Sequence, residues 1–333
     1  MSQHSIAYQA ARQRAAFLVR RNRGRIVVSG ADRRTYLQGL LTNDIEALSA
    51  GHGCYAAYLT AQGRMIADLW VYELGDAVLL TMVADVTATV LARLDQFIFS
   101  EDVQLGDVSS TFAQVAVIGP HAATIVASAT GLPPPTVTAL PMHGNVRGDW
   151  NGVSLIVTRI DDFGIPGLDV YLDFRQLDAL VAALRDAGAE PLADADAETL
   201  RIESGVPAFH SDMDEETIPL EAGIEPRAIS LTKGCYVGQE VIIRVLHRGH
   251  GRVARKLVGL RIDGSDAPTA GAVIRTADRE IGSVTSGTFS PSLQQPIALG
   301  YVHRDFVAPA TAVTVDGIPA VVTALPFVAP ARS

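Results

Sequence analysis

The sequence predicts an α+β protein: two mixed α+β halves followed by a small antiparallel β-barrel or sandwich. Three observations carry that prediction. Strand and helix signals alternate irregularly as far as Gly249, with no strict βα repeat. A second round of the same texture starts at Phe112. Beyond Gly249 the chain breaks into short β-rich runs separated by Gly, Pro, Asp and Ser. The expected domains are therefore residues 1–249, divided into halves 1–110 and 111–249, and residues 250–333.

In the first half, the β-branched run Ile26–Ser29 reads as a strand and Ala31–Leu41 as a helix. Cys54–Leu59, Met65–Tyr72 and Ala77–Val83 read as a three-strand meander. Asp85–Phe99 has helical spacing at Val86, Val90, Leu91, Leu94, Phe97 and Ile98, with Asp85 as the expected N-cap. The second half opens with strand Phe112–Ile118, and Pro120 is expected at the first position of a following helix. The proline-rich stretch Gly131–Pro141 reads as a loop. Strands Val153–Ile160 and Leu168–Leu172 then precede a helix over Phe174–Ala187, whose Leu177, Leu180, Val181 and Leu184 share a face. Val253–Ile262, Ala272–Arg275, Gly282–Thr288, Ile297–Val302, Ala312–Val315 and Ala320–Ala324 supply the C-terminal strands.

Composition narrows the function. With 333 residues, 48% hydrophobic and 19% charged, the chain fills a large core. Its net charge of −9 argues against a general nucleic-acid binder. Apolar runs such as Val78–Val83 are strand-sized, far short of the roughly 20 residues that cross a bilayer, so no membrane association is expected. Cys54 and Cys235 are too few for a four-thiolate cluster in one chain and lie far apart, which fits a reducing compartment. No acidic residue precedes Asp32, whereas Arg12, Arg14, Arg20, Arg21, Arg23 and Arg25 give the bias of a mitochondrial transit peptide. Yet Tyr8, Ala11, Ala15, Phe17 and Leu18 fit a first amphipathic helix, and the strand-like Arg25–Ser29 follows closely. A mature, cytoplasmic N-terminus is the expectation.

Four features carry candidate chemistry. In Lys233–Glu240, Gly234 and Gly238 bracket Cys235, so the backbone there can take positive φ and hold the thiol at a tight turn. Lys233 nearby favours a thiolate; the alternative is a buried, inert cysteine. Cys54 reads as core. Val241–Ile262 has no carboxylate but carries Arg244, Arg248, Arg252, Arg255, Lys256, Arg261, His247 and His250. That interval either holds an anionic ligand tail or partner, or is balanced by acids elsewhere in the fold. Asp68 and Asp169 sit inside apolar strands, Asp68 on a face with Ile66, Trp70 and Tyr72, and Asp169 with Tyr171. Each is either exposed at an edge strand, paired in a local salt bridge, or held for a ligand, and a pterin offers an N–H and an amine side by side for one carboxylate to accept. Acids also cluster in Glu203, Asp212, Asp214, Glu215, Glu216 and Glu221, which could in principle bind a metal, although the run Asp214–Glu216 reads as a solvated loop. There is no HExxH, EF-hand, Walker or GxSxG pattern, and no metal is expected.

The segment Lys233-Gly234-Cys235-Tyr236-Val237-Gly238-Gln239-Glu240 resembles the signature of YgfZ-type folate-binding proteins. These are relatives of the glycine-cleavage T protein (aminomethyltransferase) and are associated with iron–sulfur cluster assembly or repair. The resemblance runs through Tyr36–Asp44, Gln62–Asp68, Ile118–Pro120, Leu200–Gly205, Ile218–Glu221, Gly282–Gly287, Ser290-Pro291 and Ala298–Gly300, in the family's order. It implies two folate-binding α/β-mixed subdomains and a C-terminal antiparallel β-barrel around a central tetrahydrofolate site. It also implies that Asp68 faces the reaction centre, that Asp169 holds the pterin and that Arg201 contacts folate. Lys233, Tyr236 and Arg244 join the expected binding set, with the folate's glutamate tail near basic residues and Cys235 as a reactive thiol at the cavity mouth. Asp162 stands where T proteins carry a tyrosine, a departure that weighs against aminomethyl transfer but leaves folate binding intact. The expected function is thus a monomeric tetrahydrofolate-binding protein that serves iron–sulfur client or assembly proteins. The alternative is a folate-dependent aminomethyltransferase or demethylase.

Overall fold

The structure is a computed structural model that describes residues 5–247, 252–277 and 279–329. Helix α1 (Ile6–Gln13) begins at Ser5, whose hydroxyl accepts from the Tyr8 N–H at 2.9 Å, and it buries Tyr8, Ala10 and Ala11. Strand β1 (Ala16–Val19) follows, then β2 (Arg23–Ser29), helix α2 (Arg33–Leu40), β3 (His52–Leu59), β4 (Met65–Glu73), β5 (Ala77–Val83), helix α3 (Thr87–Asp95) and β6 (Gln104–Asp107). Five of these strands form the first sheet, in the order β3-β4-β5-β2-β6. Its β4 is buried along its whole length, so every polar side chain on it needs a partner inside the protein.

The second sheet takes β7 (Phe112–Ile118), β8 (Asn145–Trp150), β9 (Val153–Ile160), β10 (Gly167–Asp173) and the short β11 (Glu190–Pro191). Strand β1 crosses into it from the first half, giving the order β11-β1-β7-β10-β9-β8. Helices α4 (Ala122–Thr130), α5 (Pro134–Thr138), α6 (Leu177–Asp186) and α7 (Asp194–Glu203) accompany this half. Alternation along β10 sorts its side chains. Leu168, Val170 and Leu172 pack with Val126, Leu180 and Leu184 of α4 and α6, while Asp169 and Tyr171 face the first sheet. The Tyr171 ring meets Tyr72 of β4 edge-on at 6.4 Å between centroids.

Short helices α8 (Pro219–Ala222) and α9 (Glu225–Ala228) and the longer α10 (Gln239–His247) lead to the C-terminal domain. There β12 (Arg255–Ile262), β13 (Val273–Thr276), β14 (Arg279–Ser290), β15 (Gln295–His303), β16 (Ala312–Val315) and β17 (Ile318–Thr323) close into a barrel, so the barrel reading holds over the sandwich. Helix α7 fastens the barrel to the rest. Its last residue, Glu203, is fully buried and accepts from Tyr8 Oη at 2.7 Å, Ser290 Oγ at 2.5 Å and Arg12 Nη1 at 3.3 Å.

Several expectations are corrected. Helix α3 starts at Thr87 and Asp85 does not cap it; its carboxylate instead meets His210 Nδ1 at 2.8 Å. Pro120 precedes α4, which starts at Ala122. The proline-rich loop contains α5, and β8 was not foreseen. The expected boundary at 249 and 250 lies outside the described residues. No helix among the described residues is long and apolar enough to cross a membrane.

Candidate functional site

A cleft of about 920 Å³ opens between the two sheets and α7. Its charged floor is built by Arg20 and Arg23 from the β1–β2 region, Asp68 and Trp70 from β4, and Asp162 from the turn after β9. Strand alternation explains the placement: Asp68 and Trp70 are two residues apart on β4, so both point to one face.

Arg20 organises this floor. Its Nη2 donates to Asp162 Oδ2 at 2.6 Å and its Nη1 to Asp169 Oδ2 at 3.1 Å, with both carboxylates buried and Arg20 largely so. Asp169 Oδ2 also accepts from Gln114 Nε2 at 2.6 Å, and Gln114 Oε1 accepts from Arg25 Nη1 at 3.3 Å. Oδ1 of Asp162 and Oδ1 of Asp169 are buried without a hydrogen-bond partner. Asp68 is 4% exposed and accepts from Tyr55 Oη at 2.8 Å. Burial pushes its carboxyl above the usual range, opposed by the charge of Arg23 and by the Tyr55 hydrogen bond. Arg227 stands over the Tyr55 ring at 4.8 Å and pairs with Asp161 at 2.9 Å, holding that wall in place.

The expected site residues do not all meet here. Asp68 and Arg201 line the cleft, and Asp169 sits behind Arg20. Arg201, however, has its donors committed: Nε and Nη2 to Glu198 (2.8 and 2.5 Å), Nη1 to Val206 O (2.5 Å) and Asp212 (2.6 Å), and Nη2 also to Ser286 (2.9 Å). It ties α7 to the barrel instead of offering free N–H groups to a ligand.

Lys233, Cys235, Tyr236 and Arg244 are absent from the cleft wall. Lys233 Nζ donates to Gln38 O, Leu41 O and Asn43 O at 2.6, 2.7 and 2.9 Å, clamping the cysteine segment onto the end of α2. Its ammonium also lies 5.2 Å from the ring centroid of the buried Tyr236. Cys235 is exposed, and of its flanking glycines Gly238 takes positive φ (86°) while Gly234 does not. A Cβ on Gly238 would come within 2.5 Å of Thr60 O, so that position requires glycine. Arg244 pairs only loosely with Glu240, at 3.5 Å on the surface of α10. Farther along, Arg255 pairs with Glu221 at 3.1 Å, so part of the basic interval is balanced by acids elsewhere. Arg248 and His250 lie outside the described residues. Cys54 is half-buried against the first core, and burial pushes its thiol up to about 12.

The residues that composition hid are Arg20, Arg23 and Arg25. They read as part of a basic N-terminal stretch, yet Arg20 pairs with the buried Asp162 and Asp169, Arg25 donates to the Gln114 amide, and Arg23 is buried without an ion pair among the described residues. The signal was the spacing: Arg23 and Arg25 are two apart at the start of a strand and share one face.

A concave cleft with a buried charged floor and convergent polar groups is the architecture of a small-molecule site. The GCVT N-terminal domain model matches residues 4–233, and the glycine cleavage T-protein C-terminal barrel domain model matches residues 255–329. The chain therefore belongs to the glycine-cleavage T-protein family. It is 32% identical to an aminomethyltransferase of Saccharopolyspora erythraea over 331 residues, covering 96% of this chain and 88% of the relative. A Rubrobacter xylanophilus aminomethyltransferase is 30% identical over 295 residues, covering 89% and 78%. The crystal structure of the glycine cleavage system aminomethyltransferase T from Bartonella henselae superposes with a TM-score of 0.88 at 26% identity, covering 97% of this chain and 89% of that one. Tetrahydrofolate is the one-carbon carrier of the family. Most of the cysteine segment falls between the two matched domain models, so they identify the family without the narrower YgfZ type.

Proposed function

We propose that the cleft binds tetrahydrofolate and that the protein carries out a folate-dependent one-carbon reaction, with aminomethyl transfer as the leading case. The observation that carries this reading is Asp68: a buried carboxylate on the cleft floor with its pKa raised, suited to orient an amine and to hold a proton beside it. The floor also fits the ligand. The unpartnered Asp162 Oδ1 on the cleft wall is an acceptor, and a pterin edge supplies donors. Arg20 holds the Asp162 and Asp169 carboxylates in register. When bound, tetrahydrofolate would accept the one-carbon unit, and its methylene form would give the unit back in the reverse direction; the protein supplies enclosure, orientation and the Asp68 proton.

The test combines calorimetry with folinic acid and turnover with lipoyl carrier protein, ammonia and methylene-tetrahydrofolate. Binding and turnover are expected, and Asp68→Asn should lose at least ~100-fold in rate while still binding folate. Absence of folinic acid binding would overturn the reading.

One observation favours a second reading, in which the folate-loaded protein supports iron–sulfur assembly or client proteins through a thiol. Cys235 is exposed while the Cys54 thiol is held protonated by burial, so a single sulfur is available to a partner. Cys235→Ala should then keep folate affinity but fail to rescue a deletion strain; full rescue would remove the thiol from the mechanism. Both readings take the protein to act as a cytoplasmic monomer, in keeping with its free cysteines and acidic charge.

A further inference from the structure

Arg23 is 6% exposed and Trp70 is 7% exposed, and both line the cleft. The Arg23 guanidinium lies 4.5 Å from the Trp70 ring centroid, a cation–π contact. Three of their donors are buried with no hydrogen-bond partner: Arg23 Nε, Arg23 Nη2 and Trp70 Nε1. Among the described residues Arg23 makes no ion pair, in contrast to Arg20 and Arg201, which each pair with two carboxylates. Asp68 and Asp162 act on its charge from a distance, as does the like charge of Arg20.

Nε and Nη2 form the side-on edge of a guanidinium, whose two parallel N–H bonds match the two oxygens of a carboxylate. A buried donor without water or a protein acceptor is costly, so this edge is arranged for an acceptor that arrives with a ligand. Its position selects the ligand's class. Asp68 and Trp70 are neighbours on one face of β4, so a carboxylate held at Arg23 stands at the proposed reaction centre instead of the cleft rim.

We propose, resting on the folate reading above, that Arg23 and Trp70 form a carboxylate subsite for a small amino carboxylate. Its amine would then lie beside Asp68 while folate occupies the rest of the cleft. The two donors are out of solvent contact, so the carboxylate enters with a rotation of the Arg23 side chain.

The experiment titrates glycine, sarcosine and methylamine into the full chain saturated with tetrahydrofolate and follows heat. Glycine or sarcosine should bind, and methylamine, which lacks the carboxylate, should bind at least tenfold more weakly. Arg23→Met should weaken the amino carboxylate at least tenfold and weaken tetrahydrofolate by clearly less than that. Trp70→Phe keeps an aromatic face, although a smaller one, and drops the indole N–H; it should weaken the amino carboxylate about threefold, and it serves as the test if Arg23→Met does not fold. Equal binding of sarcosine and methylamine overturns the subsite while leaving the folate reading standing. Comparing tetrahydropteroate with tetrahydrofolate checks the other carboxylate source. If removing the folate glutamate weakens binding as much as Arg23→Met does, and the two losses do not add, the subsite holds the folate tail and the amino-carboxylate proposal fails. Failure of all folates to bind overturns the functional reading and this proposal together.

Discussion

Arg20 donates to Asp162 at 2.6 Å, and the same guanidinium reaches Asp169 at 3.1 Å, so one buried cation from the start of the chain joins two carboxylates of the second half. Breaking such a triad leaves an uncompensated buried charge, which costs far more than the intact arrangement contributes. Arg20→Met should therefore destabilise the protein by about 3–5 kcal/mol in urea unfolding. The loss should shrink as pH falls, because the Asp169 carboxyl, already raised by burial, takes up a proton once Arg20 is gone. A loss below ~1 kcal/mol would show that the carboxylates find other partners.

Asp68 gives the pH dependence its sign. Its folded pKa lies above the ordinary carboxylate value, so the native state holds a proton that the unfolded chain releases. The stability from this group is fully present below the unfolded pKa and is lost as pH rises through the folded one. Asp68→Asn keeps the neutral form at all pH values. It should be more stable than the parent by about 1 kcal/mol at pH 7 and no more stable at pH 3, the reverse of its effect on turnover. Urea midpoints at the two pH values check this.

The longer strands of both sheets and of the barrel are legible in the sequence, because each carries a β-branched or alternating run of the right length; the strands β1, β6, β8 and β11 carry no such signal. The sequence also exposed Asp68 and Asp169, since a carboxylate in an apolar strand is anomalous wherever that strand packs. Phe17 and Leu18, whose spacing suggests the first helix, lie instead in β1, which pairs with β7 and β11 of the second sheet, a long-range choice that no local pattern encodes. The arginines of residues 20–25 were misread for a related reason: a charge count registers them as basic, while their acidic partners lie more than forty residues away. Lys233 was placed near Cys235 because they are close in sequence, but its ammonium turns instead to the carbonyls closing α2.

That turn yields a prediction separating support from binding. Lys233→Met strands the carbonyls of Gln38, Leu41 and Asn43 and frees the segment that carries Cys235. A loss of about 2–3 kcal/mol in thermal or urea unfolding is expected. Affinity for folinic acid should remain within about twofold, since Lys233 does not line the cleft. A tenfold loss of folate affinity in a well-folded variant would restore Lys233 to the binding set.

The two cysteines should differ sharply in reactivity. Cys235 is exposed, whereas burial carries the Cys54 thiol from 9.0 to about 12, opposed in part by the charge of Lys233. A rise of that size lowers the Cys54 thiolate population near neutral pH about a thousandfold. A disulfide reagent at pH 8 should therefore titrate one thiol per native chain within minutes and both in denaturant. Cys235→Ala should abolish the fast phase and Cys54→Ala should leave it intact. If Lys233→Met is folded, Cys54 should be slower still, because the nearby cation that favours its thiolate is gone. A fast phase surviving Cys235→Ala would mean that Cys54 is reached by reagent, and the single available sulfur on which the thiol reading depends would be lost.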